Sequence, residues 1–279
     1  MNNNRFRVMK FDLNNIVDHA AIVMVAKRGS GKSWVCRDIV YSLRKKIPGG
    51  VVIAPTDRMN GFYKYFFPDL YIHYEIKPSI LCNVLTRQLM MITKEKDKKK
   101  NGKVINPSGI LIMDDCLSQK GKWSKDPQIL EIMMNGRHYK LTYILTMQTP
   151  LGLTPDLRLN FDYVFLLRED SQVNRKKLYD NYASCFPSYA DFISVFSKCT
   201  TNNCCMVIDN RNSKEAINEK VFWFKAEERK FAFGSDKFQS IHKKYYDPNY
   251  QAKTINNMIM NSGLIKKKVD DQIRIDLVK

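Results

Sequence analysis

Three clusters of residues in this sequence have the types and spacing that chemistry on a polyphosphate requires. The first is Ala26 to Ser33, AKRGSGKS, preceded by the apolar run Ile22 to Ala26 and followed by a segment that turns helical from Ser33. Strand, glycine-broken turn and helix in that order are the context of a phosphate-binding loop. The backbone N–H groups of Lys27, Arg28, Gly29, Ser30 and Gly31, with a helix N-terminus behind them, form a concavity for phosphate oxygens. Lys32 is placed to reach the β and γ phosphates and Ser33 to put its hydroxyl on Mg²⁺, and Trp34 completes the nucleotide-contacting segment. Such loops usually open with glycine; Ala26 keeps a small residue but gives up part of the freedom to take φ > 0.

The second cluster is Asp114 and Asp115, which close the run GILIMDD at Gly109 to Asp115. Four apolar residues make a strand buried on both faces, and ligands bind at the carboxyl ends of strands in an open parallel sheet. Asp114 is expected to serve the Mg²⁺ shell through water, and Asp115 to orient or deprotonate the attacking water. Alternation along a strand suits one acid for metal and the next for water. The third cluster brackets the strand Leu141 to Met147: Gln148 at its carboxyl end is placed to sense the γ phosphate. Arg137 precedes it, where a planar cationic fork could meet phosphoryl charge in its own site or a neighbour's, or stand as a simple surface arginine. Arg168, after the run Asp162 to Leu167, is a second arginine candidate.

Apolar periodicity shows which elements must hold these groups. The helix after the loop carries Trp34, Val35, Ile39, Val40 and Leu43 and ends at Pro48 to Gly50. Val51 to Ala54 is a short strand, followed by Thr56, Asp57 and Arg58 near the nucleotide or a neighbouring subunit. The aromatic stretch Gly61 to Tyr74 reads as core and interface packing rather than base stacking, since Lys64 is its one lysine or arginine. A helical pattern from Pro78 dissolves into KEKDKKKNGK, Lys94 to Lys103, which is expected as a mobile lysine-rich loop in an insert at 94–109. Asp126 and Pro127 start another helix, running to Arg137. Helices at Val173 to Tyr182 and Tyr189 to Phe196, and strands at Cys204 to Asp209 and Lys220 to Lys225, complete the pattern.

Five apolar strands alternating with helices give an α/β fold, a three-layer αβα domain with a mainly parallel central sheet. Leu141 to Met147 is expected between the loop strand and the acidic strand. The expected division is a polar lead-in at 1–20, the nucleotide-binding domain at 21–232, and a C-terminal appendage or tail at 233–279 that packs on a neighbour or contacts DNA.

The 279 residues carry a formal charge of +18, which favours a polyanionic partner, nucleic acid before an anionic membrane, unless it reflects compositional bias. No run approaches the roughly 18 apolar residues of a membrane span, and the N-terminus lacks a signal peptide's apolar core. A soluble, non-secreted protein is expected. Seven scattered cysteines read as free thiols, and Cys199, Cys204 and Cys205 lack the spacing of a zinc site.

Taken together, AKRGSGKS, ILIMDD, NGRHYKLTYILTMQTP and the late KVFWFKAE resemble the genome-packaging ATPases of nucleocytoplasmic large DNA viruses. These are the poxvirus-type packaging enzymes within the FtsK/HerA superfamily, and the likeness spans Ile22 to Lys225. The resemblance implies a RecA-like P-loop NTPase of the ASCE type that uses ATP and Mg²⁺ and assembles into a homo-oligomeric ring, hexamer or pentamer. It further implies transport of double-stranded DNA into a preformed capsid, with capsid or portal-vertex proteins as partners and no stable membrane insertion. The expected place of action is the host cytoplasm at virus assembly sites, or the virion. Asp115 stands where the superfamily often has glutamate, a reach shorter by about one methylene. The alternatives are a DNA helicase, which would prefer single strands, or another DNA-stimulated P-loop NTPase, and a nucleotide-regulated structural protein of the virion.

Overall fold

The structure is a computed structural model that describes residues 7–116, 126–211 and 216–249. In chain order the elements are β1 (Met9–Lys10), β2 (Ala21–Val25), α1 (Lys32–Leu43), β3 (Gly50–Ile53), β4 (Ile72–His73), α2 (Pro78–Lys100), β5 (Gly109–Asp114), α3 (Pro127–Asn135) and β6 (Leu141–Met147). Next come α4 (Pro155–Arg158), β7 (Tyr163–Leu166), α5 (Gln172–Tyr182), α6 (Tyr189–Cys199), β8 (Cys204–Asp209), α7 (Ile217–Lys220), β9 (Val221–Lys225) and α8 (Asp236–Tyr245).

The nine strands form one sheet in the order β1-β9-β8-β7-β2-β6-β5-β3-β4. From β7 to β4 all neighbours are parallel, so the carboxyl ends of β2, β5 and β6 share one edge. The strand expected between the loop strand and the acidic strand is β6, as the sequence indicates. The two late strands join as an antiparallel extension, β7 to β8 to β9.

Burial on both faces stems from the runs of apolar residues. Along β2, Ala21, Val23 and Val25 enter a core shared with α2, α3, α5 and α6, whereas Ile22, Met24 and Ala26 enter a second core shared with α1 and Phe66, Phe67 and Phe233.

Four segments differ from the sequence expectation. Lys94 to Lys100 is not a mobile loop but the last two turns of α2. Lys and Glu are good helix formers, and Glu95 is tied to Lys140 at 2.5 Å. Residues 7–20 do more than lead in: β1 pairs with β9, and Phe11 and Ile16 are buried. Beyond Phe233, residues Asp236 to Tyr245 form α8, while the patch at Ile255 to Ile259 and the run Lys266 to Lys268 lie outside the described residues. The helix expected to run to Arg137 stops at Asn135.

Candidate active site

The phosphate loop is built by two left-handed turns. Gly29 has φ 78° and Gly31 φ 90°, a region that costs an L-residue about 1–2 kcal/mol. A Cβ at either glycine would meet nothing within 4 Å, so the backbone angle and not crowding is what calls for glycine. Ala26 needs no such freedom, because its N–H still pairs with the Met147 carbonyl at 2.9 Å as an extension of β2. Ser30 closes the loop by donating from its hydroxyl to the Lys27 carbonyl at 2.6 Å. Gly31 caps α1 without any side-chain cap, and no acid occupies the first turn, so the helix presents unpaired N–H groups to an anion.

Across the loop stand the two acids. Lys32 Nζ lies 3.5 Å from Asp114 Oδ1 and 3.9 Å from Asp115 Oδ1, with its side chain only 11% exposed. The strand ends at Asp114; Asp115 has φ 54°, so a left-handed turn, and not strand alternation, separates the directions of the two carboxylates. Thr146 organises both. It faces Asp114 in the β5–β6 register, donates its hydroxyl to Asp114 Oδ1, and accepts the Asp115 N–H at 3.0 Å. Gln148 Nε2 donates to Asp115 Oδ2, so the expected γ-phosphate sensor and the expected water-activating acid are in contact.

Two supporting residues, Thr146 and Tyr63, escape the sequence reading, and a third, Asp57, stands in the polar loop expected near the nucleotide. Thr146 looks like one more strand residue until its register is known. Tyr63 is fully buried, and its hydroxyl lies against Asp114 and Cys36 without completing a hydrogen bond. Burial, with the Asp114 charge beside it, raises its phenol well above the ordinary value. Asp57, also buried, accepts the N–H groups of Phe62 at 2.8 Å and Tyr63 at 3.1 Å and so holds the aromatic loop against the site. Desolvation raises its carboxyl above the usual range despite those two hydrogen bonds. The signal for Asp57 is its place in the polar loop after β3, four residues before the aromatic run; Thr56 and Asp57 both line the cavity.

Lys27, Arg28, Gly29, Gly31, Lys32, Ser33, Trp34, Asp114, Asp115 and Gln148 all line one cavity of about 980 Å³. Arg137 is not among them. It pairs with Asp162 at 2.5 Å, and Asp162 in turn accepts the Ala21 N–H at 2.8 Å at the opposite end of β2. Five strand residues span about 17 Å, so Arg137 cannot reach the phosphates of its own chain. Arg168 lies on the loop side, 70% exposed and 3.2 Å from Asp170, in a polar cleft shared with Lys27 and Arg28.

The family model described as the poxvirus A32 protein matches residues 8–182. The chain belongs to that family. It is 61% identical over 279 residues to a protein of Acanthamoeba polyphaga mimivirus, covering 99% of this chain and 98% of the relative. Over 205 residues it is 35% identical to a protein of Frog virus 3, covering 74% and 61%. The fold is similar to that of the DNA-packaging ATPase of Sulfolobus turreted icosahedral virus, with a TM-score of 0.53 at 14% identity over 76% of this chain and 100% of that one. The resemblance read from the four motifs and the αβα P-loop fold are both borne out.

The A32-family chain also has the donor set that Mg²⁺ prefers. That ion takes oxygen ligands, keeps several waters, and is usually held by one or two carboxylates together with substrate phosphates. The Ser33 hydroxyl and the buried Asp114 carboxylate suit a metal delivered with a triphosphate. Among the described residues no group of three His, Cys, Asp or Glu forms a metal cage.

Proposed function

We propose that this chain is a genome-packaging NTPase of a large DNA virus, an ATP-driven ring motor that moves double-stranded DNA into the capsid. The observation that carries the reading is the convergence of Lys32, Asp114, Asp115 and Gln148 on the open side of the Gly29–Gly31 loop. Family membership and the packaging role of the structurally similar archaeal-virus ATPase support it.

In this mechanism the loop N–H groups and the α1 N-terminus hold the phosphate oxygens, and Lys32 turns from the two acids to the β and γ phosphates. Ser33 and Asp114 would hold Mg²⁺, which when bound would neutralise developing charge on the phosphates. Asp115 takes the proton of the attacking water. Gln148, whose amide nitrogen is engaged by Asp115, keeps its carbonyl oxygen free to orient that water. Arg137 can meet a nucleotide only in a neighbouring subunit, which makes the ring the active unit. Portal-vertex or capsid proteins would be its partners at cytoplasmic assembly sites or in the virion.

The net charge of +18 favours a phosphate backbone as track, read without base preference. Steady-state ATPase rate measured against protein concentration, with and without long double-stranded DNA at two salt concentrations, tests the whole reading. The rate per subunit should rise with concentration and again with DNA, the second effect weakening in salt. A rate indifferent to DNA in a verified oligomer would sink translocation, and stimulation by single strands alone would mark a helicase.

A further inference from the structure

The polyphosphate accounts for only part of the cavity. Beyond Ser33 its wall includes Trp34 and Phe62, with Asp57, Asn60, Asn203 and Lys225 as the polar side chains beside them. Trp34 is 43% exposed, although an indole is among the side chains that most favour burial. It is nevertheless held firmly. The Arg37 guanidinium centre lies 4.9 Å from its ring centroid, and the Phe62 ring meets it edge-on at 5.8 Å and 65°. Arg37 is itself buried, donates to the Arg229 carbonyl, and stands 6.0 Å from the Phe66 ring. A rigid indole backed by a cation on one side therefore turns its remaining surface to the cavity.

We infer that Trp34, backed by Arg37 and flanked by Phe62, is the surface on which the nucleobase of the bound triphosphate stacks. The inference rests on the nucleotide reading of the site and adds what that reading leaves open. A triphosphate laid along residues 27–33 puts its γ end against Asp115 and Gln148, so its base must leave by another side. Among the described residues two exits exist: the Trp34 wall, and the cleft of about 480 Å³ lined by Lys27, Arg28, Arg168, Asp170 and Asn203. The cleft is charged and has no aromatic ring, and the Trp34 wall has two. Stacking is worth roughly 1–3 kcal/mol per base and accepts any base, because every base has a π-face. Thr56, Asn60, Asn203 and Lys225 are exposed, and the buried Asp57 engages both carboxylate oxygens with the Phe62 and Tyr63 N–H groups, so among the described residues of this wall no buried donor or acceptor is left to read a base edge. Without such groups a site rejects no base strongly, so ATP and GTP should bind alike.

The test is binding of ATP, GTP and inorganic tripolyphosphate, each with Mg²⁺, to the full chain and to Trp34→Ala, Trp34→Phe and Arg168→Ala. Trp34→Ala should weaken ATP and GTP by about tenfold or more and tripolyphosphate by less than about twofold, with Trp34→Phe retaining most of the affinity. Equal weakening of tripolyphosphate would show that Trp34 only supports the loop, and would overturn the inference. So would unchanged ATP affinity in Trp34→Ala together with a loss in Arg168→Ala, which would put the base in the charged cleft. Wild-type protein that binds neither ATP nor tripolyphosphate would overturn the nucleotide reading itself, and this inference with it.

Discussion

Lys32 places a nearly buried positive charge between two carboxylates, and neither partner is stable there alone. Removing one member of such a pair leaves an uncompensated charge, which costs several kcal/mol. Lys32→Ala should therefore abolish phosphate binding and also set Asp114 against Asp115. Asp115→Asn should spare ATP binding and slow cleavage by roughly 10²–10⁴-fold, the usual worth of a general base. Thr146→Val keeps the shape but leaves the Asp115 N–H without an acceptor and takes a donor from Asp114. It should cost about 1–3 kcal/mol of stability and lower single-turnover cleavage more than it lowers affinity. Nucleotide titration beside single-turnover rates separates these outcomes; equal loss of binding in Lys32→Ala and Asp115→Asn would end the division of labour between them. Lys32, Ser33, Asp114, Asp115 and Gln148 could all be read from the sequence because each sits at the edge of an apolar run. Thr146 and Tyr63 could not, since their roles depend on strand register and on a loop fold that residue types do not encode locally.

The element least legible in the sequence is the second half of α2. Its apolar period ends near Met91, and the remaining turns are a charge run that periodicity cannot distinguish from loop. The structure pins the helix with one buried side chain: Gln88 Nε2 donates to the carbonyls of Tyr139 at 2.7 Å and of Pro107 and Lys140 at 3.2 Å, level with the amino ends of β5 and β6. The twelve residues 89–100 then extend about 18 Å further at 1.5 Å each, away from the nucleotide edge. Strands β1 and β4, of two residues each, fall below any sequence signal because they are too short to show a period. The projecting turns expose Lys96, Lys99 and Lys100 and are the element best placed to meet a phosphate backbone far from the ATP. Changing these three lysines to glutamine should leave ATPase without DNA intact and should lower DNA affinity. The slope of log affinity against log salt should fall by about one for each lysine that contacts phosphate. An unchanged slope would place the DNA contact on another element.

At the scale of the whole molecule, the chain straps its own sheet together. After β9, the strand next to the β1 edge, residues 226–235 cross the outside of α1 to the β3–β4 edge. On the way the Glu227 N–H donates to Asp38 at 2.9 Å, Phe231 packs on Tyr41 at 5.3 Å, and the Phe233 N–H donates to the Phe66 carbonyl at 2.7 Å. Phe233 stacks on Phe67 at 4.8 Å, and Phe238 of α8 stacks on Tyr71 at 3.9 Å. A domain boundary after Ala232, which the polarity of the later sequence favours, would cut the strap where it is most buried: Phe233 is 0% exposed. The same strap lies behind Arg37, and therefore behind Trp34, so loosening it should be felt in the cavity as well as in the core. Phe233→Ala should cost about 3–5 kcal/mol, the range for truncating a buried phenylalanine, or roughly 6–20 °C in melting temperature at this chain length. It should also weaken ATP more than tripolyphosphate, because the loss reaches the site through Arg37 and not through the phosphate loop. Thermal melts and the two affinities, measured on one preparation, decide the matter. A change below about 1 kcal/mol would make residues from 233 onward an appendage, and a normal ATP affinity in a strongly destabilised variant would detach the strap from the nucleotide site.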